Sequence, residues 1–225
     1  GSEMCIRDRH IHCHADLERI LTPQLEYFCK GMAYNVEFHL INPTKAEVVY
    51  EDRSVTVSSI PLRHRIPTCG FLFAEKPTPN HIIRDMIDFY KVPVFELNRI
   101  KNGEDYVLPD GTVIPNNRLT TPPAPPRSYA YCSDTIFHRP IIEQIKGVNL
   151  LFHEATFAQC DAQRAKETFH TTAMQAGEIA RDADVKQLLI GHFSARYEDE
   201  NILLQEARSV FPNTLLAKEN LKVTL

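Results

Sequence analysis

The sequence predicts an α/β fold in which helices pack on a sheet of buried strands. Three short apolar runs in the second half of the chain support this prediction: SYAYC, VNLLF and KQLLIG. Each run is typical of a strand that is buried on both faces, and segments with helical spacing lie between the runs. Alternation of strands and helices indicates helices layered on a sheet.

The chain has 225 residues, 43% of them hydrophobic, which is enough to bury one substantial core in one main domain. No apolar stretch approaches the roughly 18 residues that a membrane-spanning helix needs. The N-terminus lacks the order of a signal peptide, so we expect a soluble, cytoplasmic protein. The net charge of -4 argues against indiscriminate nucleic-acid binding, although it does not exclude a local basic patch.

The six cysteines are scattered without a C-x-x-C pair, which indicates neither a disulfide framework nor a cysteine zinc site. Ten histidines against eight glycines is a histidine-rich balance. Imidazoles are frequent metal ligands, so the positions of the histidines relative to the strands decide what they can do.

The N-terminal segment divides into two stretches of different character. Residues 1–9, GSEMCIRDR, match nothing around them, and we expect them to be non-native and derived from a sequencing adapter. On that expectation the chain is an N-terminally truncated fragment. The next stretch, HIHCHAD, places three histidines at a spacing of two, on one face of a predicted strand.

The middle of the chain predicts two strands, a helix and a loop. Residues 54–60 alternate polar and apolar side chains, residues 69–74 resemble a partner strand, and His64 lies in their connection. Residues 81–90 have the spacing of an amphipathic helix. Residues 102–126 are rich in Gly, Pro and Asn, which predicts a loop or small hairpin rather than a domain boundary.

A further helix is predicted over residues 172–182. Polar residues follow each of the three buried runs. Functional groups of open sheets gather outside the carboxyl ends of the strands. With His64 and His170, the polar residues supply imidazoles and a carboxylate, which suit a hydrolytic zinc or manganese ion. Taken singly, a histidine there is more often structural, and an aspartate is often a turn or cap residue. The polar residues are Ser133 and Asp134, His153 and Glu154, and His192 and Ser194.

Five motifs in chain order carry a resemblance: PLRHRIPTCGF, YCSDT, LLFHEATF, FHTTAMQAGEIARDADV and LLIGHFSARY. They resemble the successive motifs of the ribonuclease Z family, the tRNA 3'-processing endonucleases of the metallo-β-lactamase superfamily. The resemblance covers nearly all of the chain after residue 10. It implies an αββα sandwich, incomplete here because its N-terminal part is missing, with two zinc ions at one edge and Mn²⁺ as an alternative metal.

The resemblance also implies roles for single residues. His64 matches a ligand of one zinc ion, Asp134 matches the carboxylate that bridges both, and His192 matches a ligand of the other. Two metal ions can activate water and hold the attacking and leaving oxygens of a phosphodiester. The implied reaction cleaves precursor tRNA on its 3' side, removes the trailer and leaves a 3'-hydroxyl.

His170 matches the family histidine that protonates the leaving oxygen, and an imidazole is a suitable general acid near neutral pH. The alternative is that His170 only precedes a helix that Thr171 or Thr172 caps. We interpret His153 and Glu154 as residues that orient the metal ligands or His170 through hydrogen bonds.

Two further groups are candidates for contacts with RNA. Ser194 and Arg196 can donate hydrogen bonds to the scissile phosphate, although Arg196 has the alternative of a surface ion pair with Glu198 or Asp199. Residues 75–101 fall where bacterial members of the family carry a tRNA-binding arm, inserted here in a partial domain over residues 10–225. Their mixed charge leaves a solvated amphipathic helix as the alternative.

The H-x-H-x-D-H motif of the superfamily is absent from the sequence. HIHCHAD lacks the closing D-H pair, so we predict that His10, His12 and His14 are not the missing ligands. Without that motif we expect an unpaired sheet edge and an inactive chain. The resemblance implies a homodimer for the full-length form. A non-catalytic tRNA-binding relative and another phosphodiesterase of the superfamily stay open as alternatives.

Overall fold

The computed structural model of the protein describes residues 8–225. The prediction that residues 1–9 are non-native falls largely on residues 1–7, which lie outside the described residues. The strands of the described part are β1 (Arg9–Cys13), β2 (Val36–Leu40), β3 (Val48–Glu51), β4 (Val55–Pro61), β5 (Cys69–Glu75), β6 (His81–Ile82), β7 (Tyr106–Val107), β8 (Val113–Ile114), β9 (Thr120–Thr121), β10 (Ser128–Cys132), β11 (Leu150–Glu154), β12 (Gln187–Gly191) and β13 (Thr214–Leu216).

Seven α-helices lie among the described residues. Among the described residues, no helix has the length and apolar character needed to cross a membrane. The helices are α1 (Ala15–Phe28), α2 (Arg84–Phe89), α3 (Leu97–Lys101), α4 (Asn116–Leu119), α5 (Ala162–Thr168), α6 (Ala173–Asp182) and α7 (Asn201–Val210).

Seven strands form one mixed sheet in the order β13-β12-β11-β10-β5-β4-β3. The four strands β10 to β13 are parallel neighbours, whereas β5 pairs antiparallel with β10 and β3 antiparallel with β4. Parallel strands direct their carboxyl ends to the same edge of a sheet. The segments that follow β10, β11 and β12 therefore meet at one edge.

The main core lies between the sheet and the helices α6 and α7, which pack against each other and against β11, β12 and β13. The helix predicted over residues 172–182 is confirmed as α6, whose Ala173, Ala176, Ile179 and Ala180 are all buried. Gly177 allows the two helices to approach closely, because a Cβ atom there would lie 2.9 Å from the Ala207 carbonyl oxygen of α7. The mixed α/β fold with a central sheet confirms the predicted fold class.

The strands predicted over residues 54–60 and 69–74 are confirmed as the neighbours β4 and β5. The helix predicted over residues 81–90 is wrong at its start, because α2 begins only at Arg84. His81 and Ile82 instead form β6 and pair antiparallel with β9. This pairing joins segments that are distant in the sequence, and the local spacing of apolar residues does not reveal it.

Contacts divide the described residues into two compact units. One comprises the described residues up to Ala74 together with Arg127–Leu225, and the other is Glu75–Pro126. The second unit contains the stretch predicted as a loop or small hairpin, where β7 and β8 form a hairpin. It thus continues beyond residue 101, the end of the predicted arm, and the tRNA-binding role of that arm stays a prediction. Its small core consists of Ile87, Val92, Ile100, Ile114 and Leu119.

Strands β1 and β2 form a separate parallel pair, connected in the chain through α1. The strand predicted at HIHCHAD is confirmed as β1, which ends at Cys13, and His14 is the N-cap residue of α1. None of the residues of α1 is buried. This pair therefore has little helical cover from α1.

Candidate metal centre

Four chemically active side chains meet at the edge where β10, β11 and β12 end. Each offers a ligand atom, and these atoms all lie within 4.8 Å of one another. The loops after β10 and β12 carry two of the residues, β11 carries the third, and the fourth precedes α6. The four residues are Asp134, Glu154, His170 and His192.

Three residues of this edge have a left-handed backbone: Asp134 with φ 58°, Phe169 with φ 63° and His192 with φ 61°. Residues other than glycine rarely adopt this region, and such geometry clusters at functional sites, where it costs on the order of 1–3 kcal/mol per residue. Each of these residues adjoins or belongs to the four-residue group. The surrounding fold therefore imposes a conformation that the isolated chain would avoid.

Asp134 and His192 face each other, with His192 Nε2 3.2 Å from Asp134 Oδ1, and their side chains are 46% and 42% exposed. Ligand atoms on a tetrahedral zinc ion, with bonds of about 2.0 Å, lie about 3.3 Å apart. The separation and the open approach therefore fit two ligands of one metal ion. A carboxylate with imidazole is also a suitable donor set for zinc or manganese.

His64 lies beside this group, with its ring centroid 5.0 Å from that of His170. Its Nδ1 atom is 2.9 Å from the Phe169 carbonyl oxygen, which can only accept a hydrogen bond. Nδ1 therefore carries the proton, and Nε2 keeps the lone pair that a metal ligand needs. His64 does not belong to the four-residue group, so its role as a ligand stays a prediction.

Glu154 is fully buried, and its carboxylate has hydrogen-bond partners in several residues of the site. Its carboxylate accepts from the backbone N–H groups of Thr135 at 2.5 Å and Thr171 at 3.1 Å. It also accepts from the Thr156 hydroxyl at 2.6 Å and lies 3.0 Å from His170 Nδ1. These partners hold Glu154 in one position, from which it fixes the ring of His170.

The contact between Glu154 and His170 changes the pKa of both groups. Burial alone would raise the pKa of Glu154, but the hydrogen bonds from His170, Thr156 and the Thr135 N–H outweigh it and lower that pKa. The hydrogen bond to Glu154 raises the pKa of His170 above 6.5, against the opposing effect of burial. The pair thus favours an ionised carboxylate beside a protonated imidazole.

Thr156 connects Glu154 to His192. Its single hydroxyl proton goes to the charged carboxylate, the closest acceptor, so its oxygen accepts from His192 Nδ1 at 3.0 Å. His192 is thereby held with its Nε2 atom directed at Asp134. Sequence reasoning missed Thr156, and the available indication was its position two residues after Glu154 in HEATF.

His153 lies apart from these contacts, although it directly precedes Glu154. Successive residues of a strand point to opposite faces. His153 is fully buried, its Nδ1 atom lies 2.7 Å from the Glu154 carbonyl oxygen, and burial lowers its pKa. Among the described residues, its Nε2 atom has no hydrogen-bond partner. The structure therefore shows no hydrogen bond from His153 to the predicted ligands or to His170.

A cleft of about 280 Å³ opens beside His64, Thr156 and His170. Arg196 lies over the ring of Phe157 at 5.2 Å and pairs with Asp161 at 3.3 Å, rather than with Glu198 or Asp199. Guanidinium and hydroxyl groups in its lining make the cleft suitable for a phosphate group. The donors that line it are Arg65, Arg164, Thr168, Ser194 and Arg196.

The alternative interpretation of His170 was that it only precedes a helix capped by Thr171 or Thr172, and this helix is indeed capped. Thr172 is the N-cap residue of α6 and forms a capping box with Gln175. This does not compete with a chemical role for His170, because the cap uses the Thr172 hydroxyl while the ring of His170 contacts Glu154. Both interpretations of this segment are therefore compatible.

We expect the metal-free chain to lose stability as the pH rises from 6.5 through the folded-state pKa of His170. The pKa of His170 is raised in the folded state, so its contribution is complete below 6.5 and is lost as the pH passes the folded-state pKa. NMR titration of His170 and urea unfolding at several pH values measure both effects. Glu154→Gln is the control, since it removes the charge that raises this pKa. A folded-state pKa of His170 at or below 6.5 would contradict the prediction.

Comparison with known proteins places the chain among curated relatives. No protein-family model matches it. It is 72% identical over 216 residues to a ribonuclease Z of Phocaeicola vulgatus, a match that covers 96% of this chain and 70% of the relative. It is 68% identical to a ribonuclease Z of Bacteroides fragilis, covering 96% and 71%, and 52% identical to one of Porphyromonas gingivalis, covering the same shares.

Solved structures agree on the fold. Human tRNase Z, short form, superposes with a TM-score of 0.60 at 18% identity, over 96% of this chain and 67% of that one. Zn²⁺-bound PqqB from Methylobacterium extorquens gives a TM-score of 0.55 at 10% identity, over 97% and 63%. The sequence identities confirm the family that the motifs predict. The chain belongs to the ribonuclease Z family of hydrolytic endoribonucleases, which have the metallo-β-lactamase fold.

Proposed function

We propose that this chain carries part of a zinc-dependent site that cleaves precursor tRNA on its 3' side and leaves a 3'-hydroxyl on the tRNA. The single observation that carries this proposal is the group of Asp134, Glu154, His170 and His192 next to a cleft rich in arginine. The curated relatives are named ribonuclease Z, and one structure with the same fold is named tRNase Z. Metal ligands that lie beside hydrogen-bond donors for phosphate suit the hydrolysis of a phosphodiester.

The position of each residue indicates its role in the proposed reaction. Arg196 and Ser194 hold the scissile phosphate through hydrogen bonds from the cleft. His170 gives its Nε2 proton to the leaving oxygen, because Glu154 engages Nδ1 and the hydrogen bond to Glu154 raises the pKa of the ring, which favours its protonated form. Asp134, His192 and His64 would hold zinc, or Mn²⁺ in its place, and a metal bound there would supply positive charge to polarise the phosphate.

We further propose that these ligands alone do not complete a dinuclear centre. A catalytic zinc ion takes three protein ligands, so two ions that share one carboxylate need about five. Asp134, His192 and His64 supply three, while Glu154 and His170 are bound to each other. Activity then depends on the H-x-H-x-D-H segment that the family resemblance implies.

The remaining parts of the proposal concern substrate binding and assembly. We propose that the unit Glu75–Pro126 contacts tRNA and that the completed protein acts as a homodimer in the cytoplasm. The support is the family resemblance together with the separate core of this unit. Light scattering of the completed protein and tRNA binding after deletion of this unit measure the two properties.

The test of the function compares this chain with one to which the unmatched part of the Phocaeicola vulgatus relative has been joined, where we expect the H-x-H-x-D-H segment. The substrate is a labelled precursor tRNA with a 3' trailer, and the products are analysed for a 3'-hydroxyl. We expect cleavage by the completed chain with zinc and none by this chain alone. Cleavage of a simple phosphodiester but not of precursor tRNA would favour another phosphodiesterase of the fold. Binding of tRNA without cleavage by the completed chain would favour a non-catalytic relative.

A further inference from the structure

A second cluster of imidazoles and a carboxylate lies on the β1–β2 pair, and it shares no residue with the group at the sheet edge. The two strands are parallel, with His10 opposite Glu37 and His12 opposite His39. Side chains two residues apart on a strand point to the same face. The three histidines and Glu37 thus form a block of two by two positions on one face of the pair.

The ligand atoms in this block lie at distances that suit one metal ion. His10 Nδ1 is 2.9 Å from His39 Nε2 and 3.3 Å from Glu37 Oε2, and His39 Nε2 is 3.8 Å from the same oxygen. On a tetrahedral ion with bonds of about 2.0 Å, neighbouring ligand atoms lie about 3.3 Å apart. The observed distances lie on both sides of this value, so small side-chain rotations can equalise them.

We propose that His10, Glu37 and His39 form a binding site for a divalent transition metal ion, separate from the catalytic centre. The donor set of two imidazoles and one carboxylate suits Zn²⁺, Co²⁺ or Ni²⁺ and leaves a fourth position for water. The side chains are 53%, 57% and 43% exposed, so an ion can reach all three from solvent. The ring of His12 stacks on that of His39 at 4.7 Å and holds it in place.

The ordinary alternative is a hydrogen bond between His10 and His39 beside an exposed ion pair. Such a pair contributes little to stability, because both groups stay in water. A metal ion would instead connect the two strands through three bonds. It would raise the unfolding temperature in proportion to the logarithm of its free concentration.

The test uses a chain that carries Asp134→Asn and His192→Ala, which removes two donors of the catalytic centre. Co²⁺ is titrated and followed by its visible absorption and by calorimetry. We expect one ion to bind, with at least a tenfold weaker affinity after His39→Ala and a weaker affinity after Glu37→Gln. His81→Ala removes another exposed histidine and is the matched control, which should leave the affinity unchanged.

Two results would overturn the proposal. One is the absence of Co²⁺ binding in the parent chain, and the other is binding that His39→Ala and Glu37→Gln leave unaltered. If circular dichroism shows that His39→Ala does not fold, the decision falls to Glu37→Gln, which preserves the shape of the side chain. An unchanged affinity in that variant then contradicts the role of Glu37. A metal-dependent rise in unfolding temperature, lost in the same variants, supports the site independently of the absorption.

Discussion

Asp134→Asn lowers the rate of precursor tRNA cleavage by at least about a thousandfold in a chain completed with the H-x-H-x-D-H segment. Metal ions supply several kcal/mol of transition-state stabilisation, and about 4 kcal/mol corresponds to a factor of a thousand. Asparagine keeps the shape of the side chain and tolerates the left-handed backbone at φ 58°. The loss therefore reports the missing charge rather than a change in fold, and single-turnover cleavage measures it.

A matched control exists elsewhere in the chain. Asp184 also has a left-handed backbone, with φ 50°, and its side chain is 81% exposed next to Lys186. Asp184→Asn makes the same chemical change in the same backbone conformation, and we expect it to leave cleavage unchanged. Equal activity of Asp134→Asn and the unaltered completed chain would remove Asp134 from the metal site. A similar loss in both variants would show that the substitution acts through stability.

Glu154→Ala lowers the free energy of unfolding by about 3–5 kcal/mol, because it removes the acceptor of a buried network. The backbone N–H groups of Thr135 and Thr171 lose their acceptor, and the Thr156 hydroxyl keeps only the His192 carbonyl oxygen at 2.9 Å. Glu154→Gln keeps one carbonyl acceptor and should cost less. Urea unfolding of the metal-free chain near neutral pH measures these differences.

The control for this prediction is Glu143→Ala, which removes an exposed glutamate. We expect it to change the free energy of unfolding by less than about 0.5 kcal/mol. An equal effect of Glu154→Ala and Glu143→Ala would mean that the buried network contributes nothing to stability. A loss of stability with an unchanged pKa of His170 would mean that another group holds this imidazole.

The strands of the sheet were predictable where their residues are buried, because burial requires apolar side chains. The residues of the runs that became β11 and β12 are buried or half-buried on both faces, so their sequence shows burial without any knowledge of neighbours. The same prediction is wrong for β10, where Ala130 and Cys132 are buried but Tyr131 is exposed. The positions of Asp134 and His192 at the strand ends followed directly. The start of α2 was not predictable, because His81 and Ile82 form a strand that pairs with Thr120–Thr121, which lie far away in the sequence.

The contacts within the site needed the tertiary structure. Thr156 is 36 residues from His192 in sequence, and a threonine after a strand does not by itself indicate a hydrogen bond to a metal ligand. In the same way, the histidines of β1 predicted a face of a strand, but their pairing with Glu37 and His39 depends on which strand lies next to them. The sequence indicates which groups are present, and only the fold decides which of them meet.

The β1–β2 pair has a consequence for the order in which the molecule opens. A two-stranded sheet cannot bury enough surface to be stable alone, and α1, which connects the strands, buries none of its residues. Local unfolding is least costly where few apolar contacts must be broken. Amide hydrogens of β1 and β2 should therefore exchange with solvent through a partial opening that leaves the seven-stranded sheet intact. Heat or a protease should therefore gain access to β1 and β2 before it gains access to the seven-stranded sheet.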